Sequence, residues 1–145
     1  MYQVALIPKE YVELEWPKAE PYIAKAVERS RGRWTIGHVY QQAMNGSTQL
    51  WFAFDEEKDI RGVGITGFMH YPGGTNLCVH WLGGSKFDEW FWPMINRFEE
   101  WAKDNGCAAV EAVARHGFWR NLKQAGYERL YTTYHKDLEH DGQRG

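Results

Sequence analysis

Cysteine is scarce in this chain. Cys78 and Cys107 are the only two in 145 residues, too few for a disulfide framework, so a reducing cytoplasm is the expected setting. Charge of either sign is not in excess. Against 17 Lys and Arg stand 19 Asp and Glu, a formal net charge of −2, which gives no support for tight nucleic-acid binding or for an anionic membrane surface. No apolar run reaches the length that spans a bilayer. The N-terminus does not read as a signal peptide, because Pro8-Lys9-Glu10 interrupts it early. Internal repeats and low-complexity stretches are missing. So is a Gly-x-Ser-x-Gly nucleophile elbow. The six histidines show no His-Glu-x-x-His or i, i+4 helical spacing, and Cys78 with His80 is an incomplete ligand set, so no metal site is expected.

What the chain does have is aromatic bulk, 8 Trp, 8 Tyr and 7 Phe. Most of these rings are expected to build the core, with some Trp left to face a ligand or partner. The length suits one domain, read as residues 1–138, followed by a polar tail over 139–145 expected to be disordered.

Order along the chain follows from periodicity and punctuation. Tyr2 to Ile7 reads as a strand closed by Pro8. Pro17 and Pro21 are expected to break the next segment into short helical pieces, with Ala19, Tyr22, Ile23, Ala26 and Val27 on one face. Trp34 to Met44 reads as a helix stopped at Asn45-Gly46. Gln49 to Phe54 and Ile60 to Tyr71 read as strands around an acidic turn. Pro72-Gly73-Gly74 turns the chain into a hairpin partner, Asn76 to Leu82. The spacing of Phe87, Trp90, Phe91, Met94, Ile95, Phe98, Trp101 and Ala102 predicts a helix over about 86–105. Ser85 and Asp88 approximate a capping box, and Pro93 requires either a kink or a late start. Ala108 to Ala114 is a further strand, then come a short helix, Gly126-Tyr127 and a closing strand. This order predicts an α/β protein with a mixed sheet and helices on both faces.

Gly62-Val63-Gly64-Ile65-Thr66-Gly67 matches the dinucleotide fingerprint in letters only. The fingerprint must follow a strand and open a helix, whereas strand residues continue past Gly67. These glycines are expected to mark a bulge or a close backbone approach within a strand. Gly84-Ser85-Lys86 lacks the upstream glycine spacing of a phosphate-binding Walker loop.

One constellation remains. A strand feeds Gly83-Gly84-Ser85-Lys86 and then the N-terminus of a long helix, where amides and dipole favour an anion. Trp101-Ala102-Lys103-Asp104-Asn105-Gly106-Cys107, the strand Ala109-Val110-Glu111-Ala112-Val113, and Trp119-Arg120-Asn121-Leu122-Lys123-Gln124-Ala125-Gly126-Tyr127 follow in turn. With these elements the chain resembles the GNAT superfamily of acyl-CoA-dependent N-acyltransferases, over roughly residues 48–138. Through Arg115 to Leu122 and Lys136-Asp137-Leu138 it is similar, more narrowly, to small GNAT-like proteins of phages and prophages, some of them virion-associated.

The resemblance implies that acetyl-CoA, or another acyl-CoA, lies between two parted strands. Leu82, Gly83, Gly84, Ser85, Lys86 and Phe87 would then hold its pyrophosphate, and Trp119 would be a further coenzyme contact. It implies transfer of an acetyl group to an amine on a small molecule or protein. Attack by an amine needs a base with a near-neutral pKa, for which His80 is the first candidate. Glu111, the one charge in its strand, is the second. Tyr127, with Tyr131 and Tyr134 behind it, could supply an acid. The chain departs from the family in its turn, His80-Trp81-Leu82-Gly83-Gly84-Ser85, and at Leu122, where the family places a tyrosine acid. The alternative is therefore a non-catalytic GNAT-like phage virion or host-interaction protein. Modification of DNA bases is a weaker third reading, against which the acidic balance argues. No membrane partner is expected, the setting is host cytoplasm or virion if phage-encoded, and a homodimer is an allowed assembly.

Overall fold

The computed structural model describes residues 1–139; most of the 139–145 segment expected to be disordered lies outside the described residues. Two compact units are distinguished, Met1–Val113 and a second beginning at Ala114. The first holds a five-stranded sheet in the order β1-β2-β3-β4-β5. The strands are β1 (Gln3–Leu6), β2 (Thr48–Phe54), β3 (Ile60–Tyr71), β4 (Gly74–Gly84) and β5 (Ala109–Ala112). The first four pair antiparallel and β5 pairs parallel with β4. The sheet is thus mixed, as the element order implies.

Helices α1 (Val12–Glu28) and α2 (Ile36–Met44) cover one face, and α3 (Phe87–Asp104) the other. Side chains alternate along a strand, so β2 sends Leu50 and Phe52 to one side and Trp51 to the opposite side. Leu50, Phe52, Val63 and Ile65 form one buried cluster with Val12, Trp16, Ala19, Ile23 and Val27 of α1 and Val39 and Ala43 of α2. On the far face, the Trp51 ring meets Phe98 of α3 edge-on at 5.2 Å. Each buried aromatic removes a large apolar area from water, which sets where the core sits.

Several local expectations are corrected. Pro17 and Pro21 do not break α1, which runs for 17 residues. Both prolines lie on its exposed side, where water can meet the carbonyls their missing N–H groups leave open. The buried residues at spacings of three and four supply packing that outweighs the propensity cost. Helix α3 likewise passes through Pro93 and starts at Phe87. Its cap is Lys86, in the left-handed region at φ 55, with no side-chain capping bond, so the Ser85–Asp88 capping box is not formed. Gly83 and Gly84 belong to β4 instead of a turn.

The glycine run in β3 serves close packing. A Cβ built at Gly62 would meet the Trp90 ring at 2.5 Å, and one at Gly64 would meet Phe98 at 2.9 Å. Those bare positions let two large α3 rings lie on the strand.

In the second unit, a single turn at His116–Phe118 leads into α4 (Trp119–Gln124). The Tyr127 amide donates to the Leu122 carbonyl at 2.9 Å, closing the helix past Gly126, whose φ is +92. The expected closing strand is not formed among the described residues: nothing after Ala112 is assigned to a strand.

Candidate functional site

Strands β4 and β5 pair from Asn76↔Ala109 to Val79↔Ala112, with one further bond from the Val113 amide to the Val79 carbonyl at 3.3 Å. Among the described residues the ladder stops there, while β4 runs on through His80, Trp81, Leu82, Gly83 and Gly84. Past that bond β5 has ended, and the β5-facing edge of β4 has no ladder partner among the described residues up to the N-terminus of α3. An open edge is a row of backbone donors and acceptors without ladder partners.

The two glycines at the end of that edge admit close backbone neighbours. A Cβ at Gly83 would come within 2.3 Å of the Tyr22 carbonyl oxygen of α1, and one at Gly84 within 2.1 Å of the Arg61 carbonyl oxygen. Gly84 also has φ +148, which favours glycine. Beyond it, the Ser85 amide donates to the Arg61 carbonyl at 2.9 Å, and the Ser85 carbonyl accepts from Trp90 Nε1 at 2.8 Å. The indole braces the bend from beneath, while Gly84, Ser85, Lys86 and Phe87 keep their outer side to solvent, Phe87 the least exposed. The Ser85 main-chain donor is thus already committed, and Ser85 has only its hydroxyl to offer an anion. Lys86, in its left-handed conformation, is the one basic residue of the Leu82–Phe87 stretch.

A register shift falls at His80. Ile65 pairs with Trp81 and Thr66 with Val79, which leaves His80 as an extra residue in β4. The imidazole leans over Gly67: a Cβ there would lie 2.9 Å from Nε2 and 3.4 Å from Thr48 Cγ2. Its Nδ1 is 3.7 Å from the Cys78 thiol sulfur. Burial pulls the His80 pKa below its ordinary value, and the Glu111 charge works the other way, so at neutral pH the ring is uncharged and able to accept a proton. The Cys78 thiol is pushed up to about 12 by burial first and by Glu111 second. It is a packed thiol, without the thiolate character a nucleophile needs.

Register also assembles a row across the sheet. Thr48 pairs with Gly67, Gly67 with Cys78, and Cys78 with Glu111, so all four face the same side. The Glu111 carboxylate accepts the Tyr71 hydroxyl at 2.8 and 2.9 Å and Asn76 Nδ2 at 3.0 Å. Among the described residues no cation pairs with it. At the other end of the row, Thr48 Oγ1 is buried without a hydrogen-bond partner.

The first unit holds His80, Glu111 and the stretch from Leu82 to Phe87, with His80 and Glu111 on one face of the sheet. Trp119 and Tyr127 belong to the second unit, where Trp119 opens α4 and its ring takes the Arg129 guanidinium at 4.6 Å. Sequence reading missed Thr48, Gly67, Tyr71 and Asn76. Counting back from the Pro72-Gly73 turn puts Tyr71 and Asn76 on one face and could have found that pair. The His80 bulge leaves no such signal.

No group of His, Cys, Asp and Glu that could hold a metal is found among the described residues, and no helix among them is long and apolar enough to cross a membrane.

Compared with known proteins, the chain matches no family model and no curated protein. Solved structures do match. An aminoglycoside acetyltransferase from an uncultured soil metagenomic sample, in complex with sisomicin, superposes with a TM-score of 0.67 at 12% identity, over 95% of this chain and 97% of that one. A predicted acetyltransferase of Clostridium acetobutylicum with acetyl-CoA gives a TM-score of 0.66 at 15% identity, over 98% and 100%. A GNAT family acetyltransferase of Staphylococcus aureus gives 0.63 at 14%, over 94% and 98%. At these identities the likeness is one of fold: the chain has the mixed-sheet architecture of GNAT acyltransferases.

Proposed function

We propose that this protein is an acyl-CoA-dependent N-acetyltransferase, with acetyl-CoA as donor and an amine as acceptor. One observation carries the reading: β4 outruns its ladder with β5 after Val79 and continues without a ladder partner among the described residues to the start of α3. A pantetheine arm has amide groups that can complete such an edge, and a diphosphate suits the amides and dipole of the 18-residue helix beyond. The acetyltransferase with acetyl-CoA among the solved relatives supports this use of the fold.

The residues of the bend fit a diphosphate in part. Leu82, Gly83 and Gly84 supply main chain, Ser85 its hydroxyl, Lys86 a point charge, and Phe87 the first helical turn. The Ser85 amide is excluded by its bond to Arg61.

In the reaction, the neutral imidazole of His80 takes a proton from the acceptor ammonium. The freed amine forms an N–C bond to the thioester carbonyl and the C–S bond breaks. The second amine proton goes to the departing sulfur, and the proton held by His80 returns to water. The products are an amide and a free thiol. Glu111, already held by two donors, acts through its charge, which supports the protonated state of His80. Tyr127 and Trp119 belong to the second unit, and the roles that the resemblance implies for them, acid and coenzyme contact, are tested by Tyr127→Phe and Trp119→Ala.

Leu122 at the family's tyrosine position favours a second reading, a non-catalytic member of the same fold. The comparisons lend its phage or virion version no support.

Thermal denaturation with and without acetyl-CoA tests the first reading. Saturating ligand should raise Tm by mass action, and Lys86→Glu should remove most of that rise. No shift at millimolar acetyl-CoA would overturn it. Gly84 is unsuited to this test, because any side chain there collides with the Arg61 carbonyl.

A further inference from the structure

We propose that the turn between α1 and α2 is a docking surface for single-stranded nucleic acid, with its basic side chains on the phosphates and the Trp34 ring against a base. No residue of the acyl-transfer reading takes part, so the two stand or fall separately.

Charge is unevenly spread along the chain. Residues 25–38 carry Lys25, Arg29, Arg31 and Arg33 against Glu28 alone, all five exposed, although the net charge of the whole chain is −2. Lys25 lies in the last turn of α1 and Arg29 caps that helix. Neither has an ion-pair partner among the described residues. Cations there suit the helix dipole, which is reason enough for those two. It does not reach Arg31 and Arg33, which stand beyond the helix end.

Local bonding fixes the turn that carries them. The Arg33 amide donates to the Ser30 carbonyl at 3.3 Å. Between them Arg31 and Gly32 have φ 59 and 84, the two positive angles of a type I′ turn. Ser30 ties the far side as well: its Oγ accepts from the Trp34 amide at 3.2 Å and donates to the Trp34 carbonyl at 3.4 Å. The left-handed region at Arg31 favours Gly, Asn or Asp. An arginine there carries a conformational cost that the turn itself does not require.

Beside the turn stands an aromatic face. Trp34 is 42% exposed, and its ring centre lies 5.3 Å from that of His38, tilted by 40°. The Thr35 side chain accepts from the His38 amide at 3.2 Å and so starts α2 next to that ring. An acidic peptide would use the charges alone. A duplex keeps its bases stacked on one another and offers Trp34 no face. A single strand uses both features, since guanidinium groups pair with phosphates and every unstacked base has a face to lay on an indole.

The experiment is fluorescence anisotropy of short labelled oligo(U) and oligo(dT) with the intact protein, with polyglutamate as a competitor. Both strands should bind at low salt, and whichever binds more tightly assigns the surface to RNA or to DNA. Four phosphate contacts should lower affinity about fiftyfold between about 50 and 200 mM salt. Arg31→Gly suits the positive φ, so it should keep or raise Tm while removing one contact, and the loss over the same salt range should shrink to about twentyfold. Trp34→Ala should weaken binding at least about fivefold without changing the salt dependence. Absence of saturable binding at the lower salt, or a salt dependence unmoved in Arg31→Gly, would overturn the proposal. So would native affinity in Trp34→Ala, or competition by polyglutamate as strong as by unlabelled strand, which would give the surface to an acidic protein instead.

Discussion

The imidazole of His80 lies against the bare Cα of Gly67, with Nε2 2.9 Å from the position a methyl group would occupy there. The contact is between a ring tip and a missing side chain, so Gly67→Ala should swing the ring aside without breaking the strand. Overpacking typically costs about 1–3 kcal/mol, and loss of a strand glycine returns roughly 0.5–1 kcal/mol, so the net loss of stability should be no more than about 2.5 kcal/mol and the fold should survive. If His80 is the base, its displacement by about an ångström should cost up to about a hundredfold in kcat/KM. Steady-state kinetics beside a thermal melt would check this. Unchanged kcat/KM would remove His80 from the chemistry.

The same site has a definite pH signature. Burial holds the His80 pKa below the ordinary histidine value, and Glu111 opposes that shift. The acid limb of kcat/KM should therefore fall below about pH 6.5, the unperturbed value. Removing the carboxylate in Glu111→Gln takes away the influence that raises the pKa, so the limb should move to still lower pH. Stability should follow the same sign. As pH drops below about 6.5 the unfolded chain takes up a proton at His80 before the folded chain does, and stability falls until the folded pKa is passed. A limb at or above 6.5, or one unmoved in Glu111→Gln, would contradict this account of the pair.

Sequence carried the architecture further than the site. Hydrophobic period placed α3 and the strands, because a buried stripe at spacings of three and four, or an alternating face, is written directly in residue order. The β3 glycines were readable as close-approach positions for a similar reason: strand residues continue past them. Local rules failed where packing decides. Pro17 and Pro21 argue for a break that the buried face of α1 overrides, and Gly83-Gly84 argue for a turn although their neighbours are the Tyr22 and Arg61 carbonyls. At the site, His80 and Glu111 were visible as isolated titratable residues on strands. What surrounds them was not, because Thr48, Gly67, Cys78 and Glu111 come from four strands and meet only through register. His80 shares a face with Cys78, two residues back, by ordinary alternation, but the Gly67 it leans over belongs to another strand and is reached only through register.

Gly62 offers a test of how the bend before α3 is held. The Trp90 ring covers it so closely that a Cβ would meet ring carbons at 2.5 Å. The same indole is fully buried and donates from Nε1 to the Ser85 carbonyl. Unlike the His80 tip, this ring has no room to move, being packed between strand and helix. Gly62→Ala should therefore destabilise the fold by about 2–3 kcal/mol, at the upper end for overpacking. Trp90→Phe in the unaltered strand should cost a comparable amount by a different route, through the lost hydrogen bond and part of the ring's buried area. Both should also weaken acetyl-CoA binding, since both loosen the carbonyl that anchors Ser85 beside Lys86. Denaturant melts of each variant, paired with the acetyl-CoA thermal shift, separate the two effects. Gly62→Ala with native stability would mean that the strand yields, and that Trp90 does not fix the bend.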